Sequence, residues 1–188
     1  MAVRATSDDA RRADASVRRL REAGFEADLP GLSRALRADD TAVRAEAAFA
    51  LGMQGSHDAV KALVPALKDP AARVRVEAAL ALARLGEETL GAETLRSELQ
   101  GEFFADAPLR AARGLALLGD ASGYERVLEA LRSELPSNRM EAVAALSAFA
   151  GLPGVDPVAA LTTASADREE LIRRDAEAAL QTLREGTS

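Results

Sequence analysis

Val74-Arg75-Val76-Glu77-Ala78-Ala79-Leu80-Ala81-Leu82 decides how this chain folds, because it recurs. It stands 31 residues after Val43-Arg44-Ala45-Glu46-Ala47-Ala48-Phe49-Ala50-Leu51. A third copy reads Leu109-Arg110-Ala111-Ala112-Arg113-Gly114-Leu115-Ala116-Leu117. Looser copies follow at Arg139-Met140-Glu141-Ala142-Val143-Ala144-Ala145-Leu146 and Ile172-Arg173-Arg174-Asp175-Ala176-Glu177-Ala178-Ala179-Leu180. Self-similarity at such a period marks a repeat architecture. The arginines Arg44, Arg75, Arg110, Arg139 and Arg173 stand 31, 35, 29 and 34 residues apart.

Each copy is preceded by a second helical stretch, at residues 30–37, 59–68, 93–100, 124–135 and 157–166. Apolar residues recur in them at steps of three and four, as in Val60, Leu63, Val64 and Leu67, which gives each helix one buried face. The punctuation agrees with helix pairs. Pro70 and Pro108 are placed to open a helix, where a missing N–H is harmless. Gly55, Gly86, Gly119 and Gly151 fall where the second helix of a pair should stop. Pro65 lies inside a first helix and should bend it.

Composition narrows the chemistry. With 188 residues, no tryptophan, one tyrosine and five phenylalanines, alanine and leucine carry the packing, which suits closely approaching helices. The absence of cysteine excludes disulfides, thiolate metal sites and cysteine nucleophiles, and the lone His57 excludes clustered imidazole ligands. No cofactor, metal or catalytic residue is expected. The net charge of −6 speaks against a nucleic-acid partner, whose affinity rests on accumulated Lys and Arg contacts. Neither a signal peptide nor a membrane-spanning apolar run is legible, so a cytoplasmic protein with no membrane partner is expected, and a monomer.

The pattern from Asp69 to Leu82, Asp-Pro-x-x-x-Val-Arg-x-Glu-Ala-Ala-x-Ala-Leu, resembles the HEAT repeat, and more narrowly the short variety of phycobilin lyases. The resemblance covers roughly residues 28 to 186. It implies an all-α fold, a right-handed α-α superhelix (α-solenoid) of about five helix pairs with an N-terminal capping helix. The expected division is a tail and capping helix over residues 1–27 and one continuous solenoid over residues 28–188. The resemblance also implies a ladder in which the recurrent arginine, at Arg44, Arg75, Arg110, Arg139 and Arg173, bonds acids at the neighbouring repeat. Asp69 and Asp167 stand six residues before Arg75 and Arg173, and Asp69 is expected to couple to Arg75. Asp39, Asp40 and Asp106 lie nearby, whereas the fourth repeat offers Ser137-Asn138 instead.

On a helical wheel of about 100° per residue, the positions one before and three, six and seven after the arginine form the core stripe. They hold Val43, Ala47, Ala50 and Leu51 in the first copy. The opposite side, which lines the concave surface in a HEAT array, is also apolar. It carries Ala45, Phe49 and Met53, then Val76, Leu80 and Arg84, then Ala111, Leu115 and Leu118, then Met140, Ala144 and Ser147, and only the fifth copy, with Arg174, Ala178 and Gln181, reads as solvated. Glu46, Glu77, Glu141 and Asp175 flank it. This reads either as a shallow apolar groove with an acidic margin or as side chains packed against adjacent repeats. As a groove it suits an amphipathic helix or extended peptide with basic edges. In that reading Leu80 and Leu115 accept glutamate without unfolding, whereas Leu82 and Leu117 do not. The enlarged connection containing Phe103 and Phe104 either serves the same face or caps the local core.

Residues 7–24 form one more amphipathic helix, with Ala10, Ala13, Val17 and Leu20 on one side and Arg11, Arg12, Arg18, Arg19 and Arg21 around the rest. It reads as an N-terminal cap or as a basic helix for an acidic partner. The function expected from the whole is a non-catalytic scaffold binding a protein or peptide partner. The alternative, implied by the lyase resemblance, is a chromophore or peptide lyase, isomerase or chaperone.

Overall fold

The computed structural model describes residues 7–101 and 107–185, and among them every regular element is helical, with no strand. The chain divides into two compact units, residues 1–95 and 96–188, with the boundary inside one helix. The first unit holds α1 (Ser7–Glu22), α2 (Leu29–Ala35), α3 (Thr41–Gln54), α4 (Val60–Leu63), α5 (Ala72–Arg84) and most of α6 (Glu88–Glu98). The second holds α7 (Ala107–Leu117), α8 (Tyr124–Leu131), α9 (Pro136–Leu146), α10 (Pro157–Ala164) and α11 (Glu170–Glu185).

The recurrent motif lies on α3, α5, α7, α9 and α11, the second helices of successive pairs. In the first unit α3 packs along α5, with α2 against α3 and the α4 stretch against α5. The approach of α3 to α5 is close, since a Cβ added at Gly52 would lie 2.7 Å from both Cα and Cβ of Ala81. A residue at Gly52 larger than glycine would force the two helices apart. In the second unit α9 packs against both α7 and α11, with α8 and α10 on its flanks. Tyr124 and Phe149 meet there with their rings tilted by 57° and centroids 5.2 Å apart, within a core that includes Leu109, Val127, Leu146, Leu161 and Ile172.

The helix ends follow local chemistry. Gly55, Gly86, Gly119 and Gly151 all take positive φ. At Gly86 the reason is explicit: its N–H bonds Ala83 O while that of Glu87 reaches back to Leu82 O, a left-handed closure that a Cβ would oppose. Asp28, Asp40 and Asp156 accept backbone N–H bonds at the starts of α2, α3 and α10. Pro65 acts as its position implies. The helix from Val60 changes to a 3-10 turn over Val64–Lys68, because proline supplies no N–H to the α-helical ladder.

Several boundaries differ from the sequence reading. Pro70 lies in the turn before α5 rather than at its first residue, since Ala71 forms the cap. The helix expected over residues 93–100 starts at Glu88, and that expected over residues 124–135 ends at Leu131. There Pro136 already opens α9, leaving only a short connection. Phe103 and Phe104, with Asp106, lie outside the described residues.

Candidate functional site

Arg44, Arg75, Arg139 and Arg173 each bond carbonyls of their own repeat, and Arg44 and Arg139 also reach the acid of the next. Arg44 grips Asp69 with both forks of its guanidinium, Nε to Oδ2 at 2.7 Å and Nη2 to Oδ1 at 3.0 Å. Its remaining nitrogen, Nη1, donates to the carbonyls of Ala38 and Asp39 at 2.9 Å. Arg139 repeats this with Asp167 at 2.7 and 3.0 Å and with the carbonyls of Ser133 and Glu134. Arg75 and Arg173 donate to the carbonyls of Asp69 and Pro70 and of Asp167 and Arg168. Asp69 is therefore shared: its carboxylate serves Arg44 and its carbonyl serves Arg75. The Asp69 carboxylate thus hydrogen-bonds Arg44 rather than the expected Arg75, whose charge still acts on it from nearby. Asp40 is the cap of α3, Asn138 bonds Ser133, and Arg110 is half-buried in α7.

These pairs leave an electrostatic mark. Burial would raise the Asp69 carboxyl, but hydrogen bonds from Arg44 and the Ala71 N–H outweigh it and hold the group below the ordinary carboxylate range. The Arg139 hydrogen bond, opposed by burial, lowers Asp167 likewise. Bidentate pairing of a planar guanidinium with a carboxylate is what favours arginine over lysine here.

The outward positions of the second helices do not form an open groove in the first unit. Ala45, Phe49 and Val76 are fully buried, and Met53 and Leu80 are half-buried. Glu46 and Glu77, expected at a solvated margin, are only 3 % and 1 % exposed. The reason is α1, which runs along α3 and whose side chains reach α5. All eight residues from Ala45 to Gly52 are buried, so α3 has neighbours on every side.

The contacts of α1 are ionic and directed. Arg12 bonds Glu77 at 2.8 Å, and its guanidinium lies 3.9 Å from the centroid of the Phe49 ring. A cation over an aromatic face is attracted by the ring quadrupole. The Ser16 hydroxyl donates to the Glu46 carboxylate at 2.6 Å, and Arg19 donates to its other oxygen at 3.0 Å. Arg73 of α5 stands 3.6 Å from that same oxygen. Asp9 accepts from Arg84 at 3.1 Å, and Arg84 also faces the Phe49 ring. Leu20 is the apolar anchor, buried in the core of Leu32, Leu51, Leu63 and Leu82. Beside it a cavity of about 220 Å³ remains, lined by Arg19, Leu20, Ala42, Val43, Glu46 and Arg73.

In the second unit the outward positions are mixed. Leu115 and Ala111 are fully buried, so Leu115 does not fit the expectation that glutamate is accepted there, and Leu117, expected in the core, is half-buried. The helix α7 is buried along most of its length, which the wheel of one amphipathic helix does not anticipate. Leu118 and Glu141 are half-buried, Met140 is 40 % exposed and Ala144 is exposed. Leu171, at the start of α11, is 60 % exposed. His57 is an exposed turn residue with Nδ1 3.4 Å from Leu85 O, and no acidic or imidazole cluster able to hold a metal occurs among the described residues. No helix of the described residues is long and apolar enough to cross a membrane.

Sequence reasoning placed Arg84 on this face but did not find Asp9, Arg12, Ser16, Arg19 and Arg73 as contributors to it. The available signal was charge complementarity between the arginine-rich first helix and the recurrent glutamate two residues after the ladder arginine.

No curated protein matches the chain in sequence. Among solved structures, an engineered protein is 21 % identical with a TM-score of 0.52, the alignment covering 98 % of this chain and 94 % of that one. YibA of E. coli is 16 % identical with a TM-score of 0.57, covering 95 % of this chain and 64 % of that one. Such identities carry the fold, a helical-repeat solenoid, and nothing finer. The HEAT-repeat profile matches residues 29–91 and 92–181, so the chain belongs to the HEAT-repeat family.

Proposed function

We propose that this protein is a non-catalytic scaffold that binds a protein or peptide partner on the face formed by its second helices. Repeat proteins of this kind use such extended faces for binding. The observation that carries the reading is the seat of α1: the α3–α5 face accepts a basic amphipathic helix through Glu46, Glu77 and the Phe49 ring. Within each unit a ladder arginine, Arg44 in the first and Arg139 in the second, holds neighbouring second helices in register so that their side chains act together. The partner is an amphipathic helix with basic edges.

The test compares two equally exposed positions on opposite kinds of helix. A photo-crosslinking residue replaces Met140 on the second helix α9 or Val158 on the first helix α10, which are 40 % and 46 % exposed. A discrete crosslinked polypeptide at position 140 and none at position 158 is the expected result. Equal labelling, or labelling at position 158 alone, removes the second-helix face as the binding surface.

A further inference from the structure

The contacts of α1 combine one core anchor with a set of directed polar bonds. Its one fully buried large apolar side chain is Leu20. To this it adds polar bonds, Asp9 on Arg84, Arg12 on Glu77, Ser16 and Arg19 on Glu46, and the Arg12 guanidinium over the Phe49 ring. Arg19 keeps 64 % of its side chain in water while bonding, and exposed pairs of that kind hold weakly. The helices beneath also hold one another, since α3 and α5 are in contact with each other and with α2 and the α4 stretch, while α1 covers Phe49 and the Glu46 and Glu77 carboxylates.

The connection also permits release. After α1 the chain turns at Gly24, with φ of 85°, and a Cβ there would meet nothing within 4 Å. The link to α2 spans only residues 23–28, so α1 stays tethered close to its seat when it leaves. A short tether gives an effective concentration on the order of millimolar. Any external helix has to outcompete that, and its apparent affinity falls by the fraction of seats α1 leaves open.

The seat also borders an open pocket. The cavity of about 220 Å³ beside Leu20 is bounded by Ala42 and Val43 and by the charged groups of Arg19, Glu46 and Arg73. Leu20 itself is fully buried, and a larger apolar residue at its position would extend into this pocket against Ala42 and Val43.

We infer that α1 is an exchangeable, built-in occupant of the α3–α5 face, and that this face takes a partner helix of the same register with a bulkier anchor. That register is an arginine, a small hydroxyl residue four positions on, a second arginine three further, and an aromatic residue directly after. The inference rests on the second-helix binding reading and specifies where in the first unit it operates and with what chemistry.

The chain lacks tryptophan, so a synthetic peptide of residues 7–24 carrying L20W reports its own binding by fluorescence. It is titrated into the full chain and into the full-length double variant Arg12→Ala, Arg19→Ala, whose tethered helix is weakened. The expected result is a blue-shifted emission with about tenfold tighter binding to the double variant, lost when Glu77→Gln is added. In the wild-type chain, the peptide should quicken hydrogen exchange of the α1 amides and leave those of α3 and α5 protected. That second measurement requires no variant to fold. Equal affinity for both chains with α1 exchange unchanged overturns the inference while leaving helix binding elsewhere on the second-helix face intact. Absence of binding to either chain overturns the inference and the helix-partner reading together.

Discussion

At Asp69 the side chain and the main chain look toward different repeats. The carboxylate takes two hydrogen bonds from Arg44 behind it, and the carbonyl takes one from Arg75 ahead. Removing Arg44 or Asp69 leaves its partner poorly satisfied, so each alanine variant should lose about 1–3 kcal/mol of stability. The double variant should lose less than the sum, by about 0.5–3 kcal/mol. The cycle of Asp69 with Arg75 should show a smaller coupling, because alanine at position 69 keeps the carbonyl. Denaturant melts of the single and double variants measure both, and a larger coupling for Arg75 would contradict the geometry. Proton linkage gives an independent check. Asp69 and Asp167 have folded-state affinities for protons below the unfolded value of 3.8. Their contribution is therefore fully present above that value and is lost as pH falls through it toward the folded values. Replacing both by asparagine should flatten the stability profile below about pH 4, and an unchanged acid limb would show that the carboxylates are not held as described.

Among the helices, the pairs could be read from sequence because each repeat carries its own evidence: a three-and-four apolar step, a terminal glycine, and an arginine at fixed register. The cover on α3 could not, because the wheel of α3 records which of its faces are apolar but not which neighbour meets each face. Ala45 and Phe49 look the same to a wheel whether they face water or α1. Glu46 and Glu77 read as an acidic margin on the wheel for the same reason, and the arginines that bond them lie some thirty and sixty-five residues earlier. Close helix approach was equally hidden at Gly52, an ordinary small residue in sequence. Alanine in place of a helical glycine normally stabilises by about 1 kcal/mol. Here the added methyl meets Ala81 at 2.7 Å, and overpacking of a tight contact costs about 1–3 kcal/mol. Gly52→Ala is therefore expected to lower the melting temperature, and a higher one would mean that α3 and α5 are less closely apposed.

Across the whole chain, the family match extends through both units while their outward positions differ in what reaches solvent. In residues 1–95 the acids at the recurrent margin are bonded by the chain's own first helix. In residues 96–188 Met140 and Ala144 stay open. A repeat architecture thus presents chemically related faces in different states of occupancy, and the account rests on α1 being seated where Arg12 covers Phe49. Nuclear Overhauser contacts between the Phe49 ring and the Arg12 side chain test this most directly, in a chain with only five phenylalanines to assign. Cross-peaks from the ring to the Arg12 δ-protons, with those protons shifted upfield by the ring current, are the expected result. A Phe49 ring that shows contacts within α3 and α5 but none to residues 9–20 would contradict the account.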